Sequence, residues 1–271
     1  MNKVGNPTLA YLYRRWLARR FVKDIPPGRF LEIGVGSGHF YEDLLKHGFH
    51  GIALDLNSDL IAEHQASALL STDRMVFRSL DFFLIREQFD LVVAFEVLEH
   101  YEQDLVCLAR WKELLNPGGT LIFSVPAHMK QWTENDSRAG HARRYEKVEL
   151  FEKLSKVGLT VHEVWCYGFP LLNLTYPYSS RFRLSGEGTR FKEKDLCNWI
   201  SETSLLSSAG SEKTFDSLMT NYNSTYQSGT RRFSVFARLL LSEGIWWPFL
   251  QLQRFWLNKD RGIGFIVKCH R

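Results

Sequence analysis

The residues of the first half that could do chemistry stand at the ends of short apolar runs. The stretch Leu31-Glu32-Ile33-Gly34-Val35-Gly36-Ser37-Gly38-His39-Phe40 places Gly34, Gly36 and Gly38 in a turn between a strand and a helix. Backbone can approach a ligand closely there. Such a turn also serves nicotinamide dinucleotides, or joins strand to helix with no ligand at all. Against a dinucleotide, its fingerprint wants glycine where this chain has His39, and Glu32 would repel a pyrophosphate. The same Glu32 attracts a ligand carrying an ammonium or sulfonium charge. Asp55, in Leu54-Asp55-Leu56-Asn57, lies 19 positions beyond Gly36, close to the offset at which a carboxylate meets ribose hydroxyls. Its charge would make that anchor strong; capping the next helix is the bland alternative. Asp81-Phe82 offers a carboxylate that can accept from an adenine amino group and a ring that can pack on the base, unless Asp81 is an ordinary turn residue.

S-adenosylmethionine carries both positive charges, and Glu32, Gly34, Gly36, Gly38, Asp55, Leu56, Asp81, Phe82 and Glu96 are its expected contacts. Its methyl group is already activated, so alignment of the nucleophile supplies most of the acceleration. For a hydroxyl acceptor, a base adds roughly 10²–10⁴-fold. His100, which closes Phe95-Glu96-Val97-Leu98-Glu99-His100, is the first candidate; packing or helix capping is the other reading. Further on, His141 with Arg143, Arg144 and Tyr145 could receive an anionic acceptor, because arginine presents a planar bidentate fork. A solvated loop whose arginines bridge to nearby acids is equally open. The nine histidines show no ligand-type pairing with cysteine or acid, so no metal site is expected.

The elements that position these residues follow from periodicity. Apolar residues at helical spacing from Thr8 to Val22 predict an N-terminal helix, ended by Pro26-Pro27-Gly28. Its Arg14, Arg15, Arg19 and Arg20 fit a structural helix, or a targeting or membrane-surface segment. Strands at 30–33, 51–56, 75–80, 91–96, 120–125 and 159–166 alternate with helices at 38–47, 59–70, 104–115 and 147–157. That alternation predicts a doubly wound, mostly parallel α/β sheet.

In the run from Phe30 to Val125, including Phe89-Asp90-Leu91-Val92 and Asn116-Pro117-Gly118-Gly119-Thr120-Leu121, the chain resembles the class I, Rossmann-like S-adenosylmethionine-dependent methyltransferases. The Glu96–His100 run is similar to the small-molecule enzymes of ubiquinone biosynthesis. The resemblance implies a seven-stranded sheet whose last strand, near 263–269, runs antiparallel. It implies S-adenosyl-L-homocysteine as product. The Gly140–Tyr145 segment resembles a GHxRRY stretch of a bacterial subgroup associated with surface-polysaccharide or lipid-linked pathways.

One domain over 1–271 accommodates all of this: an N-terminal helix (1–25), a cofactor-binding core (28–168), an insertion or lid (169–258) and a last strand (259–271). Residues 186–232 are polar and read as a mobile loop. The apolar stretch 233–257 reads as a lid helix or a peripheral membrane contact, and a lipid-linked acceptor suits either. The +4 balance of 34 basic and 30 acidic residues is too weak to argue for nucleic acid. Four scattered cysteines read as reduced core residues of a cytoplasmic protein. A protein or nucleic-acid methyltransferase, and a binding module that holds the cofactor without transferring methyl, are the competing functions. Oligomeric state is left open.

Overall fold

A computed structural model describes residues 8–67, 73–175 and 243–271. Its seven strands are β1 (Arg29–Ile33), β2 (His50–Asp55), β3 (Met75–Ser79), β4 (Phe89–Phe95), β5 (Leu115–Pro126), β6 (Thr160–Tyr167) and β7 (Gly264–His270). They form one sheet in the order β3-β2-β1-β4-β5-β7-β6. The first five pair in parallel, and β7 lies antiparallel between β5 and β6. The doubly wound sheet with its antiparallel last strand is therefore the observed architecture.

The central strands are apolar on both faces because helices cover both. Leu31, Ile33, Val92, Ala94, Leu121 and Phe123 point into one layer, where Leu108 and Trp111 of α4 (Asp104–Glu113) and Leu150 and Leu154 of α6 (Lys147–Lys156) pack. Their neighbours Phe30, Leu91, Val93 and Ile122 point the other way, onto Leu17 and Phe21 of α1 (Leu9–Val22) and Phe40 and Leu44 of α2 (Phe40–Lys46). This is the two-residue strand period, expressed as two cores.

Thr8 caps α1 by accepting from Tyr11 N, 3.1 Å. Arg15 and Arg19 of α1 both reach Asp43 of α2, and the buried Lys268 of β7 donates to Phe21 O at 3.2 Å. The basic N-terminal helix is thus fastened to the core from its middle to its C-terminal end. Further helices are α3 (Ser58–Ser67), α5 (Glu134–Arg138) and α7 (Leu171–Thr175). Within the expected 233–257 stretch a helix runs over Glu243–Leu252. It sends Leu250 into the core beside α1 and leaves Trp247, Phe249 and Leu252 exposed. The polar 186–232 segment, expected to be a mobile loop or lid, lies outside the described residues. Among the described residues, no helix is long and apolar enough to cross a membrane.

Candidate functional site

The parallel strands deliver their carboxyl ends to one rim, where open α/β sheets take ligands. Two adjoining cavities, each of ≈ 240 Å³, lie there and share Gly34, Gly36, Phe95, Glu96 and Ala139. The first is lined by Asp55, Leu56, Asp81, Phe82 and His100. The second is lined by Glu32, Gly38, Arg14, His141, Arg144 and Tyr167. These residues, from seven parts of the chain, meet in this cleft.

The glycine turn is left-handed at Gly34 (φ +70°) and Gly36 (φ +52°), and a Cβ at Gly34 would stand 2.7 Å from Val97 Cγ2. Gly38 serves a different end. A Cβ there would strike the Tyr11 ring at 2.8 Å, and Tyr11 Oη accepts from His39 N at 2.7 Å, so its smallness admits α1. Asp55 accepts from Gly36 N (2.8 Å) through one oxygen and from Asn57 N (2.9 Å) through the other. It pins the turn from β2 while its remaining lone pairs stay available for hydroxyls. Burial lifts its pKa, against the pull of those N–H groups. Behind the turn, His64 Nε2 stands 2.7 Å from Gly36 O, and Tyr41 Oη links His64 Nδ1 (3.1 Å) to His39 Nδ1 (3.2 Å).

Three acids are left short of partners. Glu32 is buried, one of its oxygens has no hydrogen-bond partner, and burial pushes its pKa up to about 8. Asp81 spends one oxygen capping the turn Phe82–Leu84 through Phe83 N (2.9 Å), and burial raises it to about 6. Phe82, buried beside it, holds its ring 4.5 Å from that of Phe83. Glu99 is fully buried with neither oxygen hydrogen-bonded, and burial drives its pKa well up. Glu96, at the junction of the cavities, is held at φ +56°. It accepts from Ser124 Oγ (2.8 Å) and Tyr167 Oη (3.3 Å), and Arg14 lies 3.6 Å away.

The histidines expected on the acceptor side do come together: the rings of His100 and His141 sit 5.0 Å apart. His141 Nδ1 lies 3.0 Å from Asp136 Oδ1, and its Nε2 lies 3.7 Å from Glu99. Donor atoms of Glu99, His100 and His141 fall within 4.8 Å of one another, and so do those of His128, Cys166 and Asp260. Sequence spacing gave no sign of either cluster, because each joins segments from different strand ends.

Arg143, Arg144 and Tyr145 stand differently from the expected anion clamp. Arg144 is buried and lays both arms of its fork on Asp136 (2.9 Å each), with a third bond to Ala127 O. Arg143 reaches Glu102 O and Asp104, and Tyr145, fully buried, donates to Asp104 at 3.0 Å. The arginines bridge to acids, but inside the protein rather than in a solvated loop. Arg14, from α1, lines the second cavity as well, with Tyr167 beside it at 3.2 Å. Neither residue carries a local sequence signal.

Residues 7–164 match a family described as a methyltransferase domain. The chain belongs to this methyltransferase family. Among curated proteins it resembles the ubiquinone biosynthesis O-methyltransferase of Xanthomonas campestris pv. campestris (strain B100), 33% identical over 105 residues, or 37% of this chain and 44% of that one. The namesake from Methylococcus capsulatus is 29% identical over 98 residues, 35% of this chain and 41% of the relative. The alignments thus span less than half of these relatives. Among solved structures, an S-adenosylmethionine dependent methyltransferase from Mesorhizobium loti superposes with TM-score 0.53 at 16% identity, covering 95% of this chain and 98% of that one. The 4+2 cyclase SpnF reaches 0.57 at 12% identity, covering 97% and 81%. These two likenesses concern fold alone, and a cyclase among them shows why reaction must be argued from the site.

S-adenosylmethionine is the cofactor that the sequence leads one to expect in this methyltransferase domain. The cleft fits that cofactor chemically. The orphaned oxygen of Glu32 suits an ammonium group, Asp55 keeps acceptor capacity for hydroxyls beside the open glycine turn, and Phe82 offers an apolar face next to the Asp81 carboxyl. The same buried glutamate opposes the pyrophosphate of a nicotinamide dinucleotide.

Proposed function

We propose that the enzyme transfers the methyl group of S-adenosylmethionine to an oxygen or nitrogen of a small-molecule, glycan or lipid-linked acceptor. The observation that carries this reading is the meeting of the two cavities at Gly34, Gly36 and Glu96, where each cavity holds open carboxyl groups and one of the two paired histidines. In this arrangement Glu32 receives the cofactor's ammonium group, Asp55 its ribose, and Asp81 with Phe82 and Leu56 its adenine. Gly34 and Gly36 let its backbone-facing edge approach, while Glu96 closes the junction. The sulfonium supplies an activated methyl group, and the protein supplies alignment.

On the acceptor side, Asp136 is the orienting group. Burial works to raise its pKa, but the bonds from His141 and Arg144 win and hold it far below the carboxylate range. An anionic Asp136 keeps the proton of His141 on Nδ1 and makes Nε2 the basic nitrogen. His141 and His100 are the candidates to take the acceptor's proton. Arg144 acts on the acceptor through Asp136 and His141, while Arg143 and Tyr145 hold the loop onto Asp104. Exposed Ile245, Trp247, Leu252 and Phe255 support peripheral membrane contact by a cytoplasmic enzyme with a lipid-linked acceptor.

The test is incubation with labelled S-adenosylmethionine and a cell extract fractionated into lipid, glycan, protein, nucleic-acid and small-molecule pools. Label in the lipid, glycan or small-molecule pool supports the proposal. Label confined to protein or nucleic acid overturns it. With an acceptor in hand, His100→Ala should lower turnover most at neutral pH and less at high pH, where hydroxyl acceptors ionise on their own.

A second reading is favoured by Glu99, whose two oxygens lack hydrogen bonds at a fully buried site. With His100 and His141 it could hold a divalent cation, which would polarise an acceptor oxygen as a Lewis acid. Under that reading, chelator dialysis abolishes transfer and added Mg²⁺, Mn²⁺ or Zn²⁺ restores it. Full activity after chelation retains the histidine-base reading.

A further inference from the structure

On the far side of β5 from the cofactor cleft lies a different cluster. His128 follows β5, Cys166 is on β6, and Asp260 sits in the turn that leads into β7. His128 Nε2 stands 3.3 Å from Asp260 Oδ1 and 4.0 Å from Cys166 Sγ, and all three donor atoms fall within 4.8 Å of one another. For Zn²⁺ ligands at tetrahedral angles, standard bond lengths give separations of about 3.3 Å between nitrogen and oxygen and about 3.6 Å between nitrogen and sulfur. The first is matched, and the second is met by a shift of a few tenths of an ångström.

Two further observations point the same way. The other ring nitrogen of His128, Nδ1, lies 2.9 Å from Glu146 Oε2. A carboxylate behind the imidazole is what orients a metal-bound histidine and raises its basicity. Burial raises the pKa of the Cys166 thiol, opposed by the bond that its Sγ accepts from Gly262 N at 3.0 Å. The backbone at His128 is held left-handed (φ 62°), an unfavourable conformation for a non-glycine residue. His128 and Cys166 are buried, whereas Asp260 is exposed and shares with His128 the lining of a surface cavity. That cavity is an entry path, and Lys130 and Arg261 also line it.

We propose that His128, Cys166 and Asp260 bind a borderline-soft divalent cation of the Zn²⁺ class, with Glu146 as the positioning residue behind His128. Coordination exchanges the thiol proton of Cys166 for the metal–sulfur bond and releases that proton to solvent, with no change of oxidation state. The ion staples the ends of β5 and β6 to the turn by which the chain re-enters the sheet. It is independent of the cofactor cleft and of the Glu99–His100–His141 cluster, which contains no sulfur.

Cobalt(II) is the probe, added to the whole purified protein after chelator dialysis. One equivalent should produce a near-ultraviolet thiolate-to-cobalt charge-transfer band with visible bands of tetrahedral intensity, both erased by added Zn²⁺. The sulfur band separates this site from the other cluster, so it should survive His100→Ala. Cys166→Ser should abolish it. Glu146→Gln should keep the band but weaken binding about 10–100-fold, and Asp260→Asn, a change at an exposed position, should weaken binding by at least about tenfold. Absence of a thiolate band in the folded wild-type protein with cobalt in excess would overturn the proposal. A band that survives Cys166→Ser, or is indifferent to both Glu146→Gln and Asp260→Asn, would do the same.

Discussion

The two halves of the cleft hold similar numbers of charged side chains but use them in opposite ways. On the cofactor side, Glu32 keeps a buried oxygen without a hydrogen bond, and burial raises the pKa of Glu32 and of Asp81. On the other side, Asp136 of the segment after β5 takes bonds from Arg144, His141 and Thr133, and Asp104 of α4 takes them from Tyr145 and Lys153, with Arg143 3.2 Å away. A buried acid without a partner costs stability unless something else supplies the counter-charge. Saturated networks are scaffold; unsaturated ones mark where a ligand is expected. Charge content alone does not distinguish them.

The sharpest way to break this contrast is to remove one partner from the saturated side. Asp136→Ala leaves Arg144 charged and buried, and should cost about 3–5 kcal/mol of folding stability, read by chemical denaturation. An unchanged midpoint would mean that the network is no scaffold.

On the unsaturated side the same kind of change should act on binding. Glu32→Gln should weaken S-adenosylmethionine by about 1.5–3 kcal/mol, the range for hydrogen bonds to a charged group, measured by calorimetry. Its pH dependence is a second readout. The folded-state pKa of about 8 lies above the ordinary 4.5, so the ligand-free protein loses stability from this group as pH rises from about 4.5 to about 8. Glu32→Gln should remove that loss. Cofactor binding at pH 7 should release nearly one proton from wild type and none from the variant. If wild type releases none, the ammonium group sits elsewhere.

Asp55→Ala should weaken cofactor binding by about 1–3 kcal/mol, part of it through loss of the bond to Gly36 N. Full affinity in a folded variant would move the ribose anchor. The smallest effect is expected at Asp81→Asn, about 1 kcal/mol, since asparagine can still cap Phe83 N. Because Asp81 ionises near 6, wild-type affinity should rise through that pH and the variant's should not. A flat wild-type profile would remove Asp81 from adenine recognition.

How much of this was legible in the sequence depends on range. The glycine turn between strand and helix, Asp55 at the end of β2 and the run of parallel strands are each written in a few consecutive residues, through period and turn chemistry. The composition of the Gly140–Tyr145 segment leaves a solvated loop open and suits an anion clamp. Neither reading could see Asp136 placed by the fold to occupy the Arg144 fork, or Asp104 to engage Arg143.

By itself, then, the sequence determined the order of elements, the ligand-facing turn and the class of cofactor, all of which follow from local backbone preference and short-range spacing. Only the tertiary structure decided which charges are spent and which remain open. Arg14 meets Tyr167 from 153 positions away, Glu99 is stripped of partners by the layers closing around it, and Cys166 meets His128 and Asp260 only because β7 inserts between β5 and β6. Pairing and desolvation depend on which distant segments the hydrophobic cores draw together, and no short window of sequence contains that information.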